Sequence, residues 1–349
     1  MKFIHISDVH LGAGKDVLRE IGINRYDEIW QTFRKSIETA IRMQPDLVLI
    51  TGDLFHREPL LKELREVNYI LSGLRDSKVV IVAGNHDYIS DSSYYRTFKW
   101  SDNIDMITND KITCIRYDDI KTTVYGMSYH TREIRENIFD NIVPDNDEIN
   151  ILIAHGGDEK HIPMDYKKIL SNGFDYVALG HIHKPKIYEG ERMAYAGSLE
   201  PTDINDCGER GMIIGEIKDD GVIDIKPIRM CKRQYVHLEV TLTPEWTKYM
   251  LCDKVEEMIR EHGRENIYRI ILRGQKSIDF DEDLTSVYRT GNVIDIEDKA
   301  VYTYDYDRLY EENEGNLMGN LIQTLRNRDE KALFYGVKAL YMASNQTLE

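Results

Sequence analysis

Leu47-Val48-Leu49-Ile50-Thr51-Gly52-Asp53-Leu54-Phe55-His56 decides how this chain is read. Its apolar, branched opening predicts a buried strand, and the Gly-Asp that follows puts a carboxylate just beyond that strand's carboxyl end. The same grammar recurs. Phe3-Ile4-His5-Ile6 precedes Asp8-Val9-His10, and Val79-Val80-Ile81-Val82 precedes Gly84-Asn85-His86-Asp87. The run from Ile149 to Ile153 leads to His155-Gly156, and Tyr176 to Leu179 leads to Gly180-His181-Ile182-His183. Polar residues at the carboxyl ends of successive strands converge on one edge of a sheet, whereas the same residues scattered along helices would not.

Converging carboxylates, a carboxamide and imidazoles, with no thiolate among them, suit a pair of divalent ions. Such a site needs hard oxygen and imidazole donors, one carboxylate able to bridge, and open positions for water and substrate. Any one of these clusters alone is more often a turn or a satisfied polar group, but five in order argue for one site. Asp87 reads as an orienting or turn residue. His5, His130, His161, His237 and His262 lie outside the pattern and read as ordinary surface or core histidines.

The order Asp-x-His, Gly-Asp-x-x-His, Gly-Asn-His-Asp, His, Gly-His-x-His resembles that of the calcineurin-like metallophosphoesterases. Within that superfamily the chain is most similar to the DNA double-strand-break repair nucleases of the meiotic-recombination-eleven type and bacterial SbcD, in an archaeal-like form. His56, where protein phosphatases of the superfamily carry Asp and Arg nearby, and the Gly197-Ser198-Leu199-Glu200 turn after Tyr195 point the same way. The resemblance covers residues 1 to about 230. It implies that Asp8, His10 and His183 hold one metal, that Asn85, His155 and His181 hold the other, and that Asp53 bridges them. His86 and His56 resemble the family's non-ligand catalytic histidines, His56 reading equally as a residue that orients a ligand. Imidazole-rich ligation suits manganese, iron or zinc, and the resemblance selects two Mn2+ per subunit. The implied chemistry is attack by a dimetal-activated hydroxide on a phosphodiester, with His86 assisting the leaving oxygen or the charge of the transition state.

Charge argues the other way. The 61 acidic residues exceed the 45 basic ones, for a formal charge of -16 over 349 residues, whereas a DNA binder usually shows a basic excess. Two divalent ions would add about four positive charges at the scissile phosphate. Lys15, Arg57, Lys184, Lys186 and Arg192 flank the motifs and could line a groove. No long apolar run or signal-like start appears, so no membrane association and a cytoplasmic, nucleoid-associated protein are expected. Cys114, Cys207, Cys231 and Cys252 show no metal-type spacing and read as free core thiols.

Helical patterns at Tyr26 to Met43, Leu60 to Leu74, Ser92 to Trp100 and Thr131 to Ile142 separate the motif strands. Strand-like stretches at 111–116, 122–127, 193–196, 211–217 and 222–228 are expected to add a second sheet. The fold expected is α/β, a four-layer αββα sandwich at 1–230, followed by a small α/β cap at 235–304 and a tail at 305–349. In the cap, Thr243-Pro244-Glu245 should open a helix with Thr243 as its N-cap. A DNA-binding role for the cap rests on the resemblance alone. In the tail, an acidic linker at Asp305 to Glu314 precedes two amphipathic stripes, Leu317, Met318, Leu321, Ile322 and Leu325, then Leu333, Val337, Leu340 and Tyr341. Two such short segments cannot bury much surface alone and must pack on their own body or on a partner; the resemblance implies the partner, an SMC-like ABC ATPase of the SbcC type, with self-packing the alternative. It also implies a homodimer through Leu60 to Leu74 and Ser92 to Trp100, with core packing the alternative for that wide apolar stripe.

The reading is a Mn-dependent exonuclease and endonuclease subunit of a double-strand-break repair complex, acting on double- and single-stranded DNA ends. The alternative is a metallophosphodiesterase for cyclic nucleotides or other small diesters. A scaffold without turnover is disfavoured by the complete ligand set.

Overall fold

The structure is a computed structural model and describes residues 1–14, 22–144, 148–188, 190–277 and 280–345. Two compact units emerge, Met1–Val236 with Glu265–Ile267, and His237–Arg264 with Tyr268–Glu349.

The first unit is built on two six-stranded sheets. One holds β1 (Lys2–Ile6), β2 (Leu47–Thr51), β3 (Lys78–Val82) and β4 (Ile104–Ile107) in parallel, extended beyond β1 by antiparallel β11 (Gly211–Ile217) and β12 (Ile223–Arg229). The other runs β5 (Thr113–Tyr117), β6 (Thr122–Gly126), β7 (Ile149–His155), β8 (Tyr176–Gly180), β10 (Met193–Tyr195) and β9 (Lys186–Ile187). Each central strand is apolar on both faces because each face meets another layer. Leu47 and Leu49 of β2 share the core between the sheets with Ile151, Ile153 and Ala178. Val48 and Ile50 face the other way, onto Ile29, Phe33 and Ile37 of α1 (Arg25–Met43) and Leu64, Val67 and Leu71 of α2 (Leu61–Leu71). On the outer face of the second sheet, Leu152 and Val177 pack with Phe174 and with Ile169 of α3 (Tyr166–Ser171). These are the four layers of an αββα sandwich.

Strand membership differs from the expectation in one way that matters for the site. β11 and β12 join the first sheet, while the motif strands β7 and β8 lie in the second. Candidate residues therefore hang from the carboxyl edges of two facing sheets rather than one. Two expected helices are single 3-10 turns, Tyr94–Arg96 and Phe139–Asn141. In the first, Ser93 caps the Tyr95 N–H and Tyr95, Phe98 and Trp100 pack against the outer core. In the second, Ile134 gives its N–H to Lys160 and accepts from Ile162, so local backbone groups are spent on a neighbouring loop. The apolar stripe of α2 is taken up by the core, Ile70 included, which leaves Leu60 and Tyr69 exposed.

Glu200, at the end of the Gly197-Ser198-Leu199-Glu200 turn, is fully buried. It accepts from Arg25 Nη2 (2.8 Å), Thr32 Oγ1 (2.6 Å) and the Lys232 N–H (2.6 Å). Arg25 also binds Glu28 at 2.7 Å and the Pro201 carbonyl at 2.9 Å, so the start of α1 clamps the loop that follows the turn.

In the second unit, a sheet ordered β13 (Tyr235–Leu242), β14 (Ile267–Ser277), β15 (Val293–Asp298), with β16 (Val301–Thr303) beside β14, accompanies α4 (Lys248–His262) and α5 (Thr285–Tyr288). Thr247, not Thr243, caps α4 through the Met250 N–H; the Thr243 hydroxyl is donated to Glu245 instead. Within the expected acidic linker lies a short helix, α6 (Tyr306–Glu312). The two tail stripes, on α7 (Leu317–Leu325) and α8 (Glu330–Asn345), pack largely on each other: Ile322, Leu333 and Val337 are buried with Tyr304, and Met318, Leu321 and Leu325 lie against them. Leu317, Tyr335 and Met342 remain 69%, 65% and 58% exposed. All four cysteines are free, as expected, but only Cys231 is buried and Cys114 is exposed. No helix among the described residues is long and apolar enough to cross a membrane.

Candidate metal centre

Three loops leave the first sheet and two leave the second, and the backbone laces them together. Asp8 gives its N–H to the Gly52 carbonyl (3.2 Å), His10 to Asp53 (2.9 Å) and Leu11 to Leu54 (2.9 Å). His181 gives its N–H to the Asp8 carboxylate at 3.0 Å, joining the sheets. Asp87, fully buried, accepts from the Gly84 N–H (2.8 Å), the Phe55 N–H (3.1 Å) and Tyr95 Oη (2.9 Å), pinning the third loop to the second. Burial and the nearby Asp53 push the Asp87 carboxyl up to about 7.

Close packing explains the motif glycines. A Cβ on Gly180 would overlap the Thr51 carbonyl, and one on Gly84 would overlap the Asp53 carboxylate. Asp8, His10, Asp53 and His181 all have positive φ (47°, 51°, 49° and 97°), half of the eight described non-glycine residues that do. Left-handed backbone at non-glycine residues is held against its own preference, and such strain concentrates at functional sites.

The seven expected ligands come together. Asp53 Oδ2 lies 3.8 Å from His10 Nε2 and 3.5 Å from His155 Nε2, between the two groups. On one side His10 Nε2 and His183 Nε2 face each other at 3.0 Å, with Asp8 close enough to share an ion with both. On the other, Asn85 Oδ1 is 2.9 Å from His155 Nε2 and 3.1 Å from His181 Nδ1. Asp8, His10, Asp53, Asn85 and His155 are buried, while His181 and His183 border the opening.

The far nitrogens of these rings are occupied. His155 Nδ1 is 2.8 Å from the Thr51 carbonyl, His181 Nε2 is 2.7 Å from Asp158 Oδ2, and His183 Nδ1 is 3.1 Å from Asp206 Oδ2. A ring whose far N–H is donated presents a lone pair at its near nitrogen, as coordination requires. Burial opposes charge on His155, yet the Asp53 carboxylate outweighs it and raises its pKa to about 9. His10, where burial and three neighbouring imidazoles prevail over Asp53, is held well below the ordinary histidine range. Nitrogen and oxygen donors in two groups about one shared carboxylate fit a pair of borderline divalent cations.

His86 and His56 stand at the mouth, rings stacked at 5.0 Å. His86 gives its backbone N–H to Asp53 Oδ1 (2.8 Å), and its ring meets the His10 ring edge-on at 4.9 Å. His56 Nδ1 lies 3.4 Å from His10 Nδ1, at the far side of an expected ligand. Among the flanking basic residues, Arg57 is engaged with Glu63 at 2.8 Å, and Lys186 lies 4.3 Å over the Tyr188 ring. Lys184 and Arg192 are exposed, and Lys15 lies outside the described residues.

Sequence reasoning missed Asp158, Asp206 and His161, which the structure brings to the site. His161, outside the motif pattern, has its ring 4.4 Å from that of His181 and shares Asp158 with it. Only the placement of Asp158 three residues after His155 could have drawn attention. His5 is the core histidine expected, bonded to Tyr176 and Thr51 and pushed by burial down to about 3.

Comparison with known proteins agrees with this geometry. Residues 1–185 match the profile of the calcineurin-like phosphoesterases. The chain is 29% identical to the DNA double-strand break repair protein Mre11 of Methanocaldococcus jannaschii, over 69% of either protein. It is 27% identical to that of Aeropyrum pernix, over 79% of this chain and 74% of the other. It is also 25% identical to YhaO of Bacillus subtilis, an uncharacterised metallophosphoesterase, over 78% of this chain and 72% of YhaO. With more than half its length matched and candidate donors for a dimetal centre gathered where its two sheets meet, this chain belongs to the calcineurin-like phosphoesterases and is a metal-dependent phosphodiesterase.

Proposed function

We propose that the protein is a DNA nuclease of the double-strand-break repair type, working with two Mn2+ ions. The carrying observation is that similarity to Mre11 proteins reaches 79% of this chain, well beyond the residues 1–185 of the phosphoesterase profile. Asp8, His10 and His183 would hold one ion and Asn85, His155 and His181 the other, with Asp53 placed to serve both. Divalent ions held there would supply an acidified water and charge to offset that of the phosphate. The protein's own groups do the rest. Asp53 is aimed by the His86 N–H, and the strained loops hold the donors without reorganisation. His86, at the open mouth and outside both donor groups, offers a ring N–H to the leaving 3′ or 5′ oxygen. His56 sets the far nitrogen of His10.

The α/β segment 235–304 is proposed as a DNA-sensing cap, and Leu317, Tyr335 and Met342 of the tail as the surface that meets an SMC-like ABC ATPase. A homodimer belongs to the same reading, with Leu60, just before α2, and Tyr69 of α2 exposed for it. The net charge of -16 favours the competing reading, a phosphodiesterase for small diesters. Metal-dependent hydrolysis of linear duplex, hairpin and single-stranded DNA, measured beside a small phosphodiester, decides between them. Cleavage of DNA with Mn2+, lost in Asp53→Ala together with metal affinity, is expected. Turnover of the small diester with no cleavage of any DNA would overturn the nuclease.

A further inference from the structure

We infer that Asp158 and Asp206 are positioning residues that each set one half of the metal centre, an assignment that rests on the two-ion reading above. They come from different loops, and each reaches the far nitrogen of a different histidine of Gly180-His181-Ile182-His183. Asp158 Oδ2 is 2.7 Å from His181 Nε2, and Asp206 Oδ2 is 3.1 Å from His183 Nδ1. The two rings thus present opposite nitrogens inwards. His181 turns Nδ1 to Asn85 and His183 turns Nε2 to His10. An imidazole carries one proton when neutral, so the ring nitrogen that donates to a carboxylate determines which nitrogen is left to bind an ion.

Each acid is itself held in place. Asp206 accepts from the Thr202 N–H and hydroxyl, both at 3.2 Å, and Arg210 lies 3.9 Å away. Asp158 accepts from the Lys160 N–H (2.8 Å) and the His161 N–H (3.0 Å), and the His161 ring meets the same carboxylate at 2.9 Å. Asp206 is anchored at one remove by the buried Arg25–Glu200 pair, since Arg25 also holds the carbonyl of Pro201, next to Thr202. His161 could instead make Asp158, His161 and His181 a cation site of their own, because their ligand atoms lie within 4.8 Å of one another. That reading needs His181 to spend both ring nitrogens on cations, so the orienting role is preferred.

The consequence is selective. Asp158→Asn should weaken the ion held through His181, and Asp206→Asn the ion held through His183, each by about 10–100-fold. Titration calorimetry with Mn2+ alone on the full chain reads this directly, two binding steps in the parent becoming one retained and one weakened. Thermal unfolding in EDTA should match the parent, and excess Mn2+ should restore cleavage, which a merely structural lesion would not allow. His161→Ala should keep both ions. Parental affinity at both steps in both aspartate variants would overturn the assignment, as would loss of an ion in His161→Ala. A parent chain that binds fewer than two Mn2+ would instead remove the two-ion reading beneath it.

Discussion

Gly84→Ala tests the centre without removing any proposed ligand. A Cβ there would stand 2.6 Å from the Asp53 backbone nitrogen and 2.7 Å from His155 Cε1, and would overlap the Asp53 carboxylate. Ordinary contact begins near 3.4 Å, so these walls must retreat by about 0.7–0.8 Å. Gly84 has no positive φ, so alanine brings no backbone strain to confuse the result. Overpacking of this kind costs about 1–3 kcal/mol, which a sandwich of this size survives. The damage falls on Asp53 and His155, one the proposed bridge and the other a proposed ligand. Misplacement approaching 1 Å lowers a rate on the order of 100-fold. Mn2+ titration, single-turnover cleavage of a linear duplex and thermal unfolding in EDTA should show a folded protein with weakened metal binding and that loss of rate. A variant binding both ions with parental affinity and cutting at the parental rate would refute the account of a rigid wall around Asp53.

His86→Ala should abolish DNA cleavage yet still bind two ions by calorimetry; losing one would make His86 a ligand. Arg25→Met leaves the buried Glu28 and Glu200 without their shared cation, and should cost about 3–5 kcal/mol by urea unfolding in EDTA. Against the cost of burial, Arg233 and Arg25 hold Glu28 below the usual carboxylate range. Its contribution is therefore present above the unfolded carboxylate pKa and fades as pH falls through the folded one, so the gap between parent and variant should narrow in acid. Chelation should lower the melting temperature, because the donors come from both sheets and exist together only when folded; at 100-fold saturation one ion contributes about 2.7 kcal/mol. Leu317→Glu should leave unfolding unchanged and remove capture of the ATPase, whereas Ile322→Glu should melt the tail, and the reverse pattern would place the interface elsewhere.

Strands of the sandwich were legible because each is a short branched run ending in a polar cluster, as Leu47 to Asp53 illustrates. Which sheet a strand joins was not. With both faces of β2 and β7 buried, the pattern carries no inside or outside, and the choice is made by partners such as Phe3 and Tyr176, whose rings meet at 4.6 Å between the layers. Ser92 to Trp100 has helical spacing, but Tyr95 is drawn to Asp87 and the aromatic residues to the core, and tertiary packing overrides local preference. At the centre, the motifs marked the five clusters that converge, and the family resemblance singled out seven residues among them. The acids behind them were hidden. Asp158 and Asp206 sit in loops without a repeated pattern, and their relation to His181 and His183 exists only in three dimensions.

The same contrast separates scaffold from machinery. Most of the sandwich obeys simple rules, with apolar layers, a capped α1 and a satisfied His5. One edge breaks them together: four left-handed backbones, five buried candidate ligands and two imidazole nitrogens facing each other at 3.0 Å. Each violation costs stability on its own, and a core of equal volume could have been apolar. Hydrogen bonds accepted by Asp87 and the backbone ladder between Asp8 and Gly52, His10 and Asp53 keep that edge from relaxing. Rigidity of this kind is what electrostatic catalysis requires, since donors already aimed at a phosphate and its cations need not reorganise when charge develops. The fold's most strained edge is therefore also where its chemistry belongs.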